Sequence, residues 1–370
     1  MASGRKVGVG IIGAGNISSA YIKAMKGFDI LDIVGIADMK PEVAAARAKE
    51  HGLTAVASVE ALLADPSVGI VVNLTIPRAH VEVGLRAIAA GKHVHAEKPL
   101  GITFAEGKTL IDAAKAKGVR VGSAPDTFLG GSHQQCRALV DNGTIGTIVG
   151  GSAFFACPGH ERWHPDPAFY YDIGGGPVLD MGPYYITDLV NMLGPVKSVM
   201  AASATSQKQR MIYSEPKHGQ MMPVKVATHV AGILTFHSGA LIQVTLSFDV
   251  PAHTHLPFEL YGTEATLLVP DPNIFGGEIR TRTPVQQEWQ AVPTTLPYAD
   301  GNFRSLGVAD LAAAILDNRP HRASGELALH VLEVMEGFAK ASDAGHPVEM
   351  STTVERPAPL STSYADGRVK

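Results

Sequence analysis

Along its first 125 residues the chain alternates between two hydrophobic periods. Short apolar runs rich in β-branched residues recur at Lys6–Ile12 (KVGVGII), Leu31–Ala37 (LDIVGIA), Gly69–Thr75 (GIVVNLT), Lys92–Glu97 (KHVHAE) and Val119–Ala124 (VRVGSA). Between them lie stretches of helical spacing, such as PEVAAARAKEHG and AHVEVGLRAIAAG, each closed by a glycine suited to end a helix. Strands alternating with helices of that length predict βαβ units around a parallel sheet. Right-handed crossovers then give a doubly wound domain that binds ligands outside the carboxyl ends of its strands.

After about residue 147 the pattern changes. TIVGGSAFFA, VKSVMAASAT, VATHVAGILTF, ALIQVTLSFDV, LPFELYG and ATLLVPD read as strands, with turn signals such as HSGA and YGTEA between them. Helices are predicted only near Val178–Leu193, Phe303–Asp317 and Gly325–Ala341. The expected fold is α/β plus α+β: a Rossmann dinucleotide-binding domain over residues 1–125, and a mainly antiparallel α+β domain over 126–370. The proline-rich PVEMSTTVERPAPL predicts an extended tail.

Length and composition agree with two globular domains: 370 residues, 45% hydrophobic and 18% charged. A net charge of −4, with no Lys/Arg run, gives no electrostatic reason to expect nucleic acid or an anionic membrane as partner. Cys136 and Cys157 stand far apart in no metal-like spacing and read as reduced thiols. The N-terminus shows no apolar signal region, and no uncharged apolar run approaches the roughly 18 residues of a spanning helix. A soluble, cytoplasmic protein is expected.

GAGNIS follows the first strand and opens a helix. Gly13 permits a tight turn, and Gly15 lets the backbone approach a pyrophosphate at the helix N-terminus, beside Asn16 and Ile17. The third position of G-x-G-x-x-G is Ser18. Asp38 closes the second strand, where an acidic residue binds the adenosine ribose and repels a 2′-phosphate. NAD is therefore the expected cofactor; Lys40 leaves room for NADP.

On a count that puts HAEKPLG at the end of the fifth strand, VVNLTIPRAH after the fourth and APDTFLGG after the sixth, Glu97, Lys98 and Pro99 lie at the carboxyl edge of the sheet. A lysine there is costly unless paired or used. Pro99 restricts Lys98 to extended geometry and is a candidate for a cis bond. GGGPVLDMGPYYITD (Gly174–Asp188) opens a helix with Asp180 and Tyr184 on one face at i, i+4, and Asp188 one turn further. Tyr185 points about 100° away and reads as packing.

Together EKP, VVNLTIPRAH and GGGPVLDMGPYYITD, over nearly the whole chain, resemble the Gfo/Idh/MocA oxidoreductases, the group of glucose–fructose oxidoreductase and inositol dehydrogenase. The resemblance implies a Rossmann domain plus an open-faced sheet, and hydride exchange between a nicotinamide and a secondary alcohol or ketone of a sugar, glycoside or cyclic polyol. It implies that Lys98 binds the substrate hydroxyl and tunes the acid–base group, while Asp180 bonds a neighbouring hydroxyl. Thr75, Pro77, His80, Glu97 and Lys98 are implied cofactor contacts. Many members carry D-x-G-x-H-x-x-x-D; here the spacing reads Asp180, Gly182, Tyr184, Asp188, with tyrosine for histidine, as in glucose–fructose oxidoreductase and dihydrodiol dehydrogenase. A phenol titrates near pH 10, so as a base it needs about 4 kcal/mol of help, much of which a nearby lysine ammonium supplies.

PGHERWHPDPAFYYDIGGG precedes the catalytic helix and reads as the substrate loop, with Trp163 to stack on a sugar and His160 and His164 to bind hydroxyls. HERWH matches H-E-x-x-H by letters, but Pro158, Gly159, Pro165 and Pro167 exclude the continuous helix a zincin needs, so no metal is expected. His253 and His255 read as loop histidines, and Asp126, in APDTFLGG, as a substrate or cofactor contact. Alternative readings are reduction of a keto-sugar, a glycosidase or lyase with transient oxidation, and a non-catalytic sugar or nucleotide sensor. An open-faced sheet needs covering, which predicts a homodimer or homotetramer.

Overall fold

The computed structural model describes residues 5–360. The chain runs β1 (Val7–Ile12), α1 (Ser18–Met25), β2 (Leu31–Ala37), α2 (Pro41–His51), α3 (Val59–Ala64), β3 (Ile70–Asn73), α4 (His80–Ala89), β4 (His93–Ala96), α5 (Phe104–Lys117) and β5 (Val121–Ser123). It continues with α6 (Gly131–Asp141), β6 (Ile148–Ala156), α7 (Gly176–Leu193), β7 (Val196–Ala204), β8 (Gln209–Met211), β9 (Met221–Pro223), β10 (His229–Phe236) and β11 (Leu241–Ser247). Then follow β12 (Phe258–Gly262), β13 (Thr266–Val269), β14 (Ile279–Arg282), β15 (Gln290–Val292), α8 (Leu306–Leu316), α9 (Gly325–Ala344) and β16 (Val348–Glu349).

The first sheet is parallel and ordered β2-β1-β3-β4-β5. Strands β1, β3 and β4 are almost wholly buried, which is why they read as nearly continuous apolar runs, whereas the edge strand β2 exposes Asp32. The strand count expected from the sequence is corrected here: EKP follows the fourth strand, TIPRAH the third and APDTF the fifth. Between β2 and β3 a single residue, Ala55, is bridged in parallel to Ile36. Backbone bonds Ile36 N to Thr54 O and Val56 N to Ile36 O hold it there.

The second sheet has nine strands in the order β15-β14-β13-β12-β6-β11-β10-β7-β16. Only β6 and β11 pair in parallel; the other pairs are antiparallel. Alternation along β10 and β11 buries Val230, Leu234, Ile242, Val244 and Leu246 and turns Ile233 and Gln243 outward. Met200, in register with Ile233, is also exposed.

The chain forms two compact units. Among the described residues, one unit comprises residues 5–131, Leu296–Leu329 and 357–360; the other comprises Ser132–Thr295 and His330–Arg356. Hydrogen bonds tie the late segments to the first unit: the Ser123 N–H donates to Ala323 O and the Ser305 hydroxyl to Tyr21 O, both at 3.1 Å. Asp310 on α8 accepts from Arg322 N at 2.6 Å and Arg322 Nη1 at 2.5 Å, and Arg322 in turn donates to the carbonyls of Ala358 and Pro359. In the second unit, Glu333 on α9 receives the Ser351 and Thr352 backbone N–H groups at 2.8 and 2.9 Å, fixing the chain after β16. Among the described residues no helix is long and apolar enough to cross a membrane.

Candidate active site

The turn after β1 is built for a close approach. Gly13 has φ +104°, and a Cβ there would lie 2.6 Å from the Leu74 carbonyl, so only glycine fits without displacing β3's end. A Cβ at Gly15 would meet nothing within 4 Å, leaving open space beside the N-terminus of α1. Ser18, at the position of the third glycine, is fully buried and donates its hydroxyl to Gly15 O at 2.6 Å. Asp38 accepts the Ala14 N–H through Oδ2 at 2.8 Å and the Lys40 N–H through Oδ1 at 2.9 Å. The acidic residue is thus joined to the glycine turn, and both sit where the sequence placed them. An open backbone cradle, a helix N-terminus and a carboxylate suit a pyrophosphate and an adenosine ribose. Asn16 and Ile17 form the approach to that helix, Ile17 at its N-cap. Arg47 on α2 donates to Gly15 O at 3.2 Å; its proximity was not readable from a residue 32 positions away.

The loop after β3 is tied to the turn after β4 by one ring. Thr75 donates its hydroxyl to Asn73 Oδ1 at 2.7 Å, and Asn73 Nδ2 donates to the His80 carbonyl. Pro77 starts a 3-10 turn, Pro77–Ala79, that leads into α4. The His80 imidazole is buried between two carbonyls, Pro99 O at 2.7 Å from Nδ1 and Thr75 O at 3.0 Å from Nε2. Burial presses this ring toward neutrality and outweighs the carbonyls, which favour the proton. The Lys98–Pro99 peptide is cis, and Lys98 is half-buried. Glu97 receives the Tyr21 hydroxyl at 2.5 Å and the Lys98 N–H at 3.0 Å. Burial, then the Glu97 charge, pushes the Tyr21 phenol well up, so Tyr21 stays a donor.

Asp126 is buried, and its Oδ2 accepts the N–H groups of Ser305 and Gly307, both at 2.9 Å. The structure thus gives this carboxylate a capping task at the N-terminus of α8, where Ser305 makes no side-chain cap of its own. Burial raises its pKa against the lowering effect of those two donors.

In the second unit, α7 carries Asp180, Tyr184 and Asp188 at intervals of four. Gly175 stands before the helix because a Cβ would lie 2.4 Å from Phe169 O and 2.6 Å from Tyr170 O; its close approach is to the preceding loop. Tyr184 is buried. Tyr185 donates to Phe154 O at 3.2 Å and packs on Phe155, with burial raising its phenol.

The loop before α7 supplies the acid's neighbour. His160 Nε2 lies 3.0 Å from Asp180 Oδ2, and Trp163 Nε1 donates to His160 Nδ1 at 3.1 Å. Trp163 is 61% exposed. His164 Nδ1 accepts the Asp166 N–H at 3.0 Å, and burial lowers its pKa. His160–Arg162 forms a 3-10 turn, and Glu161 is engaged by Arg210 at 2.8 Å and by the Tyr171 hydroxyl. Among the described residues no group of three or more His, Cys, Asp or Glu side chains is placed to hold a metal. His253 and His255 both lie against the Phe154 ring, at 4.9 and 4.2 Å.

Residues 7–124 match the family described as "Oxidoreductase family, NAD-binding Rossmann fold", and residues 133–268 match the "GFO/IDH/MocA C-terminal domain". The chain is 28% identical to 1,5-anhydro-D-fructose reductase of Ensifer adhaerens, over 93% of this chain and 98% of that protein. It is 24% identical to levoglucosan dehydrogenase of Pseudarthrobacter phenanthrenivorans, over 71% and 73%. A solved levoglucosan dehydrogenase, in complex with NADH and L-sorbose, shares the fold with a TM-score of 0.83 at 20% identity, over 95% of this chain and 100% of that one.

Proposed function

This chain belongs to the Gfo/Idh/MocA family of oxidoreductases and has an NAD-binding Rossmann domain, and from that premise we propose that it is a dehydrogenase or keto-reductase of a sugar, glycoside or cyclic polyol. Its relatives include a reductase of 1,5-anhydro-D-fructose and a dehydrogenase of levoglucosan, which supports a carbohydrate substrate. Two observations carry the reading: the glycine turn joined to Asp38 through Ala14, and an acid and a phenol one helical turn apart on α7.

Gly13, Gly15, Asn16, Ile17 and Asp38 hold the dinucleotide, with Thr75, Pro77, His80, Glu97 and Lys98 toward its nicotinamide end. Bound NAD supplies hydride exchange with the alcohol carbon; the chain's own part is the proton. Tyr184 takes the hydroxyl proton in oxidation and returns it in reduction. Lys98 lowers the cost of the phenolate, which otherwise stands about 4 kcal/mol from neutrality. Asp180 orients a neighbouring hydroxyl, and Trp163, His160 and His164 belong to the loop that meets the sugar. The carboxylate at Asp38 favours NAD over NADP. Exposed apolar residues on the second sheet, Met200, Ile233 and Leu241, support a homodimer or homotetramer.

The test is incubation of purified protein with NAD or NADP and a panel of sugars, anhydrosugars, inositols and glycosides, followed at the reduced-nicotinamide absorbance. Net reduction of the cofactor, or its oxidation by a keto-sugar, is expected. Aglycone release without net reduction would select the glycosidase reading, and binding without turnover the sensor.

A further inference from the structure

We propose that His160 is a positioning residue for Asp180, held in its Nε2–H tautomer by Trp163. The inference rests on the reading that Asp180 orients the substrate. It begins with a donor that has no alternative role. An indole N–H only donates, and Trp163 Nε1 lies 3.1 Å from His160 Nδ1. Nδ1 must therefore be the acceptor, and the single proton of a neutral ring falls on Nε2. That nitrogen lies 3.0 Å from Asp180 Oδ2, an oxygen that can only accept when ionised. Protonating the ring would set a second donor against the indole N–H, so this arrangement selects the neutral imidazole.

The ring is fixed from the other sides as well. It lies 4.2 Å from the Tyr170 ring and 4.5 Å from the Phe248 ring. Its backbone N–H donates to Tyr171 Oη at 3.1 Å, and the Tyr171 hydroxyl donates to Glu161, which Arg210 grips at 2.8 Å. Arg210 also bonds Asp249, whose Oδ2 receives the Thr228 hydroxyl at 2.7 Å. A hydrogen-bonded chain runs from Thr228 and Asp249 through Arg210 on β8 to Glu161 in the substrate loop and fixes where the imidazole stands. With both ring nitrogens spent on Trp163 and Asp180, His160 acts through the acid: it commits Oδ2, restricts the carboxylate's rotation and favours its ionised form.

The experiment uses the full-length protein labelled with ¹⁵N-histidine, as wild type, Trp163→Phe, His160→Gln and His160→Leu. The titratable neighbours of the ring are Asp180, Glu161, His164, Tyr170 and Tyr171, so the tautomer is read directly from the ring nitrogens. Near neutral pH the wild-type His160 signal is expected in the Nε2–H form, and Trp163→Phe is expected to admit the Nδ1–H form. His160→Leu is expected to lower kcat/KM about 10- to 100-fold, the range for losing a hydrogen bond to a charged group, and to move the acid limb of the pH profile upward. His160→Gln, whose amide N–H still reaches the carboxylate, is expected to restore most of the loss and to return the limb. NAD affinity stays unchanged throughout. An Nδ1–H signal in the wild type overturns the proposal, as does a glutamine variant as impaired as leucine with an unmoved limb. If no substrate in the panel turns over, the dehydrogenase reading fails on its own, and the ring-nitrogen signals still decide the tautomer.

Discussion

His133 Nδ1 and Asp188 Oδ2 lie 2.8 Å apart, with neither side chain reaching solvent. The second ring nitrogen lies 2.8 Å from the Ile274 carbonyl, so both nitrogens face acceptors, one of them a carboxylate. Burial opposes the charge, but Asp188 and the carbonyl outweigh it and raise the His133 pKa above its ordinary value. A raised folded-state pKa contributes stability that is fully present below the unfolded value, about 6.5, and is lost as pH rises through the folded one. Asp188→Asn is expected to cost about 3–5 kcal/mol, because it strands a buried charge. Urea unfolding at a series of pH values should also show the variant without this decline above neutrality.

Tyr184→Phe keeps the ring and removes the proton. Turnover is expected to fall about 10²- to 10⁴-fold, the usual contribution of a general acid–base, while NAD affinity measured by calorimetry is unchanged. Turnover at the wild-type rate would remove Tyr184 from the proposed chemistry.

Asp38→Ser leaves the Ala14 N–H with a weaker acceptor and takes a carboxylate away from the ribose. NAD affinity is expected to fall about 10- to 100-fold, in line with a charged hydrogen bond, and NADP affinity to fall less or rise. Titration of both dinucleotides into the same protein measures the ratio.

Asp126→Ala strips two N–H groups at the N-terminus of α8 of their shared acceptor in a buried place. A loss of about 1–3 kcal/mol is expected in denaturant unfolding. A larger loss of turnover than of stability would instead give Asp126 a direct part in the site.

Ile233→Asp places a charge among exposed apolar side chains on the second sheet, opposite Met200. If that face joins copies of the chain, light scattering will show a smaller species for the variant at equal concentration, with its unfolding midpoint little changed in the separated protomer.

Much of this was readable from periodicity and short spacings. The apolar runs LDIVGIA and LIQVTLS became β2 and β11, and the turn from Gly13 with its carboxylate at Asp38 lies within one βαβ unit, where spacing and geometry are nearly the same thing. The i, i+4 relation of Asp180 and Tyr184 needs only a helix. What escaped the sequence has long separations: His133 meets Asp188 across 55 positions and Asp126 reaches Ser305 across 179, distances that only the finished packing defines. The short strands β8, β9, β14 and β15 were missed for a different reason. QRM, MMP, IRTR and QAV are too brief to display alternation. The strand count that placed EKP after a fifth strand ran one too high, because between β2 and β3 only Ala55 bridges, in parallel, to Ile36.

The path of the chain between its two compact units bears on how the protein is made. The Rossmann strands are translated first, but α8 with its Asp310–Arg322 clamp, and the carbonyls of Ala358 and Pro359 that Arg322 holds, arrive only after the whole intervening segment Ser132–Thr295 has been synthesised. At about 5–20 residues per second, that interval is on the order of ten to forty seconds. During it the nascent sheet lacks the helix that Asp126 caps, so the first unit to leave the ribosome is among the last to be completed.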